Sequence, residues 1–179
     1  MPKYINSKSD LEECLKIELG GLGGVLQYVP IIISEHQLKF KIINNLRRWE
    51  YHINMNHSFR AKWYRIWSGY WQTKAGMIIP PNVVDVGLSI AHVGPIIINQ
   101  HCTIGKRCRI HVGVNIGANR ENAPGKCPRI GDDVYIGPGA KIFGNIDIAD
   151  GCKIGANAVV NQSFYNTNKV LVGVPAVEK

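Results

Sequence analysis

Long apolar runs, paired cysteines and dense charge are what this sequence has little of. No apolar stretch approaches the ~20 residues of a membrane span. The longest candidate, residues 20–34 (GGLGGVLQYVPIIIS), is rich in glycine and broken by Pro30. The opening segment MPKYINSKSDLEECL lacks the apolar stretch and small-residue cleavage site of a signal peptide, so a cytoplasmic protein is expected. Five cysteines are an odd number, and no CxxC pair occurs among them. That argues against a disulfide framework and against a zinc cluster, so reduced thiols and no metal are expected. Charged residues are only 19% of the chain, so little of it reads as disordered.

What is present suits one compact domain with an appendage: 179 residues, 45% of them hydrophobic. The net charge of +8 raises nucleic acid as a partner. Trp49, Trp63, Trp67 and Trp71 lie among Arg47, Arg48, Arg60, Lys62 and Arg65, as in basic-aromatic binders. Yet Trp63, Trp67 and Trp71 follow i, i+4, i+8, which sets them on one helix face, and such a face usually packs. Nucleic acid is therefore not expected. A small ligand carrying phosphates accounts for the excess of positive charge equally well.

The pattern changes near residue 76. Residues 9–19 read as a helix with Ser9 or Asp10 as N-cap, and residues 36–74 carry further helical patterning with a break near 54–58. From residue 77 an aliphatic side chain recurs every six positions: Ile98, Ile104, Ile110, Ile116, then Ile130, Ile136, Ile142, Ile148, Ile154 and Val160. Two positions earlier stands another small or apolar residue: Ile96, Cys102, Cys108, Val114, Val134, Ala140, Ile146, Cys152 and Ala158. A helix cannot produce this period. A short strand with alternate residues inward, followed by a tight corner, can. Three such units close a triangular coil of about 18 residues, and stacked coils bury one continuous ladder. The expected fold is mainly β: a left-handed parallel β-helix of hexapeptide repeats over 77–179, preceded by an α-helical region over 1–76. Cys102, Cys108 and Cys152 are then buried small apolar residues.

Two breaks interrupt the repeat, and an earlier phase holds Ile78, Val84 and Ile90. Ile90 and Ile98 are eight residues apart, so the corner Ala91-His92-Val93-Gly94-Pro95 carries two extra residues. Ile116 and Ile130 are fourteen apart, which extrudes a loop over 117–128. A repeat fold has little structural reason for an irregular corner, so such departures point to function. His92 lies in the enlarged corner. Counting hexads stacks Ile110 over Ile90 and brings His111 close to His92.

Several segments carry a family resemblance: Leu88-Ser89-Ile90-Ala91-His92, Gly113-Val114-Asn115-Ile116-Gly117, Pro128-Arg129-Ile130-Gly131 and Ile136-Gly137-Pro138-Gly139-Ala140-Lys141-Ile142, with Gly144-Asn145-Ile146 and the closing Gly173-Val174-Pro175-Ala176. Over residues 78–176 the chain resembles serine O-acetyltransferases of the hexapeptide-repeat superfamily. The resemblance implies an acetyl-CoA-dependent O-acetyltransferase that packs as a homotrimer, with acetyl-CoA as co-substrate in a groove between neighbouring subunits. His92 matches the family's catalytic histidine, a general base that takes the proton of the attacking hydroxyl. Gly117 and Ala118 match the loop start that runs along CoA. Pro138, Gly139 and Lys153 match positions lining its groove.

The departures bear on the acceptor. Met77 stands where the family has an aspartate that orients the histidine, and Ala91 where it has one for amino-acid recognition. Lys126 and Cys127 replace the arginine and histidine that serve serine's carboxylate. The chain closes at Lys179 without the extended tail by which such enzymes dock into cysteine synthase, so that partner is not expected. The helical region is also short, as in forms associated with bacterial surface-polysaccharide biosynthesis. A sugar hydroxyl is therefore the expected acceptor, met by Asn99, Asn115, Asn119, His111 and backbone groups. L-Serine is the alternative. A catalytically inactive trimeric scaffold is the rival of another class. A β-helix of the carbonic-anhydrase kind is disfavoured, because His92, His101 and His111 lack an evident zinc-ligand spacing.

Overall fold

The computed structural model describes residues 4–20, 34–119 and 125–179. Three helices come first: α1 (Lys8–Leu19), α2 (Glu35–Asn54) and α3 (Ser58–Ala75). Short strands follow: β1 (Met77–Ile78), β2 (Ser89–Ile90), β3 (Ile96–Ile98), β4 (Thr103–Ile104), β5 (Arg109–Ile110), β6 (Val114–Gly117) and β7 (Arg129–Ile130). The second half continues with β8 (Tyr135–Ile136), β9 (Lys141–Phe143), β10 (Asp147–Ile148), β11 (Lys153–Ile154), β12 (Val159–Val160), β13 (Val170–Gly173) and β14 (Ala176–Glu178). They form three sheets, in the orders β1-β3-β6-β9-β12, β4-β7-β10 and β2-β5-β8-β11-β13-β14. Every pairing is parallel except β13 with β14. This is the left-handed parallel β-helix that the six-residue period requires.

The ladder explains the stability of so short a set of strands. All ten aliphatic positions from Ile98 to Val160 are buried, and so are the nine inward partners two residues before them, with Cys102, Cys108 and Cys152 among these. Ile136 lies against Ile154, whereas Ile110 lies against Ile136 only after the loop has been inserted. Ile90 pairs with Ile110 despite the enlarged corner. Both insertions are thus absorbed outside the ladder. One corner column has left-handed backbone in every coil: Gly87 (φ +92°), Arg107 (+54°), Asp133 (+56°), Gly151 (+70°) and Asn168 (+59°). Glycine, asparagine and aspartate tolerate that region. At Arg107 the guanidinium meets Asp133 in the next coil at 2.6 and 2.7 Å.

The first coil departs from the expected phase. Ile78 is 57% exposed, and Met77 and Ile79 are the buried residues. Met77 pairs with Ile96 and Ile78 with Ile97, so the corner Pro80-Pro81-Asn82 is one residue shorter than six-residue counting assumes. Val84 and Ile90 keep their inward places.

The helices close this end of the prism. Ser7, rather than Ser9 or Asp10, caps α1, its Oγ accepting from the Asp10 N–H at 3.0 Å. Ser34 and Gln37 form a reciprocal capping box on α2. Arg47 of α2 is fully buried and holds three elements together. It donates to Glu18 of α1 at 2.6 and 2.9 Å and to Glu50 at 2.8 Å. Its remaining N–H groups reach the carbonyls of Val84 and Asp85 in the first coil. Among the described residues, no helix is long and apolar enough to cross a membrane. The shared helix face of Trp63, Trp67 and Trp71 packs only in part: Trp71 lies against the core, whereas Trp63 and Trp67 are exposed, and α3 buries Ser68, Gln72 and Ala75.

Candidate active site

The enlarged corner connects β2 to β3, and the next coil makes the same turn with only His111-Val112-Gly113. Backbone bonds pin both ends of the longer version: Ala91 N–H donates to Ile110 at 3.0 Å, and Gly113 N–H donates to Pro95 at 2.6 Å. The surplus falls on His92, Val93 and Gly94, which stand out from the prism. The His92 side chain is 65% exposed.

The first turn of α2 grips this corner. Glu35 Oε1 lies 3.3 Å from Nδ1 of His92 and accepts the Val93 N–H at 3.1 Å. Lys39, one turn on, is 3.3 Å from the same carboxylate and donates to the Ala91 carbonyl at 3.2 Å. The Val93 N–H, followed by Lys39 and His92, holds the Glu35 carboxyl below its ordinary pKa, so it is an acceptor at neutral pH. A carboxylate against Nδ1 selects the tautomer protonated there and leaves Nε2 with its lone pair outward. Glu35 has no local signal: the Ser34–Gln37 capping box marks a helix start, but nothing nearby in the chain says that this start meets the corner.

His111 lies in the coil below, its ring centroid 6.4 Å from that of His92 and 5.0 Å from Tyr135. Its Nε2 is buried without a hydrogen-bond partner among the described residues. Burial, then Arg109 and His92, lowers its pKa, so the ring favours the neutral form. Pro138 and Gly139 form the same corner one coil further down, where Gly139 N–H donates to Val112 at 2.9 Å. Gly139 has φ +75°, and a Cβ there would collide with Asn157 Oδ1.

An open groove of about 700 Å³ lies across the outer face of β3, β6 and β9. Asn99, Asn115, Lys141 and Phe143 line it, and it ends at Gly117, Ala118 and Asn119 where the loop begins. Lys141 Nζ donates to the Gly113 carbonyl at 2.7 Å, which ties the groove to the corner of His111. Lys126 lines an adjoining hollow that shares Asn119 and Phe143 with the groove and adds Asn145 and Asn161. Of the loop over 117–128, residues 120–124 lie outside the described residues.

Three positions sit away from the groove. Cys127 is 1% exposed and packs in the interior with its thiol against Cys102, so it presents nothing to an acceptor in this chain. Burial, then the neighbouring Cys127, pushes the Cys102 thiol up to about 12. Met77 is likewise interior, in register with Ile96. Lys153 is exposed on β11, around the prism edge on another sheet, beside Tyr135 and Val170.

Residues 127–162 match the family of bacterial transferase hexapeptide (six repeats), and residues 95–119 match the hexapeptide repeat of succinyl-transferase. A serine acetyltransferase of Staphylococcus aureus (strain Mu50) is 42% identical over 98 residues, covering 55% of this chain and 46% of the relative. The chain thus spans about half the length of the curated relatives it matches. Among solved structures, a Neisseria gonorrhoeae serine acetyltransferase in complex with serine superposes with a TM-score of 0.72 at 25% identity, over 97% of this chain and 70% of the other. A serine acetyltransferase in complex with CoA gives 0.73 at 23% identity, over 96% and 71%. The chain thus carries hexapeptide repeats over these segments and is similar in sequence and in fold to serine acetyltransferases.

Proposed function

We propose that this chain is an acetyl-CoA-dependent O-acetyltransferase in which His92 is the general base and the acceptor is a hydroxyl of a sugar or surface-polysaccharide precursor. The observation that carries the reading is the carboxylate of Glu35 against His92 Nδ1 in the corner enlarged by two residues. An inactive scaffold has no use for an oriented imidazole there. The acceptor oxygen attacks the thioester carbonyl while His92 Nε2 takes its proton. The tetrahedral oxyanion collapses, the carbon–sulfur bond breaks, and the imidazolium returns the proton to the CoA thiolate. The products are an O-acetyl ester and CoA.

In this reading the chain divides at residue 76 into a helical region and a catalytic coil, and acts in the cytoplasm as a homotrimer. Gly117 and Ala118 offer backbone N–H groups to the pantetheine or the oxyanion. Pro138 and Gly139 shape the corner over which the co-substrate lies. Lys153, on another sheet, serves a CoA phosphate only if the neighbouring subunit completes the groove. The structural neighbours in complex with CoA and with serine support a thioester donor and a hydroxyl acceptor.

The acceptor follows from what surrounds the corner. Serine brings an ammonium and a carboxylate, and both lose water on entering an enclosed site. Met77 and Cys127 are interior and Ala91 is uncharged, while Glu35 is already engaged by Lys39. A sugar asks only for neutral partners, which the groove side chains Asn99, Asn115 and Asn119 supply. The test is CoA release with a panel of sugars and serine. A sugar is expected to be acetylated, with kcat/KM for serine at least ~100-fold lower, about 2.7 kcal/mol. His92→Ala should lower kcat by about 10²–10⁴-fold and leave the acetyl-CoA Kd nearly unchanged. Serine as the better acceptor overturns the sugar reading; more than about half of wild-type turnover in His92→Ala overturns the mechanism.

A further inference from the structure

Helix α3 is built the wrong way round for a helix that serves only its own core. It buries Ser68, Gln72 and Ala75 and turns Phe59, Trp63, Ile66, Trp67 and Tyr70 outward. Phe59 is 83% exposed and Ile66 67%. These five follow the 3–4 residue spacing of a single face. Their rings meet edge to face along it: Trp63 against Trp67 with centroids 6.0 Å apart, and Trp67 against Tyr70 at the same distance. So large an exposed aromatic face marks a contact surface.

Charge identifies what it contacts. Arg60, Lys62, Arg65 and Lys74 are the charged residues of α3, and the helix contains no aspartate or glutamate. Arg60, Lys62 and Lys74 border this face by helical spacing, so two copies meeting through it around a twofold axis would set three cations against the same three. A lipid surface with anionic headgroups complements them, and tryptophan and tyrosine prefer the boundary between headgroup and acyl chain. We propose that α3 is a membrane-interface helix that docks the protein peripherally on an anionic bilayer, its aromatic face dipping to the acyl boundary and its cations meeting headgroup phosphates. At its C-terminal end Gly76 adjoins Pro95 of the His92 corner, so docking brings that corner toward the lipid surface. The inference does not rest on the acetyl-transfer reading.

The test is sedimentation of the full chain with phosphatidylglycerol-rich vesicles and with pure phosphatidylcholine vesicles, alongside tryptophan fluorescence. The protein is expected to bind the anionic vesicles, with a blue-shifted emission, and to release at high salt. Phe59→Ser/Trp63→Ser/Trp67→Ser and, separately, Arg60→Glu/Lys62→Glu/Arg65→Glu should each lower partitioning by about tenfold or more while leaving far-ultraviolet circular dichroism unchanged. If the serine variant fails to fold, the charge reversal decides the matter. Wild-type protein that ignores anionic vesicles overturns the proposal, as does binding that survives both variants. Loss of the native oligomeric mass in the serine variant also overturns it, because the face is then covered by another copy of the chain.

Discussion

Glu35 and His92 meet across most of the helical region: a carboxylate at the first residue of α2 stands 3.3 Å from the Nδ1 of a ring in the corner that closes the first coil. Met77, the position at which the family resemblance leads one to expect an orienting carboxylate, is apolar and interior. The carboxylate therefore comes from a different element.

Glu35→Gln should lower kcat by about 10-fold and Glu35→Ala by about 10–100-fold, with KM for acetyl-CoA unchanged. Glu35→Asp should recover part of the loss. Steady-state kinetics decide between roles: a rise in KM without a fall in kcat would assign Glu35 to substrate binding instead.

The outer faces of β1 and β3 carry exposed Ile78 and Ile97 in register, beside the groove that Ile97 also lines. These are the side chains a neighbouring subunit would cover. Light scattering at micromolar concentration should give three times the chain mass, and a monomer mass would count against the shared groove.

His111 sets a pH dependence of stability. Burial lowers its folded pKa below the ordinary 6.5, with Arg109 and His92 adding to the effect. The unfolded chain therefore takes up this proton first as pH falls below 6.5. The stability that His111 contributes is complete above that pH and is lost as pH drops through the folded value. In His111→Gln the fall of Tm below pH 6.5 should be shallower than in the wild type. An identical slope would mean that the acid sensitivity arises elsewhere.

Arg47→Met should destabilise the protein by about 3–5 kcal/mol, because it strands two buried carboxylates. Urea unfolding followed by circular dichroism measures it. Replacing Glu18 and Glu50 by leucine as well should not restore stability. Those carboxylates also accept the N–H groups of Gly87, Leu88 and Asn82, which would then be left unpaired in the interior.

The coil was legible in the sequence because its signal is local and redundant. Ten aliphatic positions at one period fix which side chains face inward, and the stacking of Ile90 on Ile110 followed from counting alone. Ile78 escaped because β1 precedes the regular hexads and its corner is a residue short. The tryptophans show a different limit. Their spacing placed Trp63 and Trp67 on one helix face, but periodicity does not say what lies opposite that face. Glu35 was hidden because its contact is wholly tertiary. Cys127 stands where the resemblance implies a polar residue, and its packing against Cys102 places it in the core.

Finally, a stack of parallel coils is an open-ended structure, and each terminal coil offers unpaired backbone on which another molecule can grow. Here one end is plugged by Arg47, whose guanidinium occupies the Val84 and Asp85 carbonyls. At the other, β14 reverses direction and pairs antiparallel with β13, Gly173 opposite Ala176. A parallel coil from a second molecule cannot continue that sheet past the reversed strand. The hairpin thus closes the longest of the three sheets to end-to-end growth.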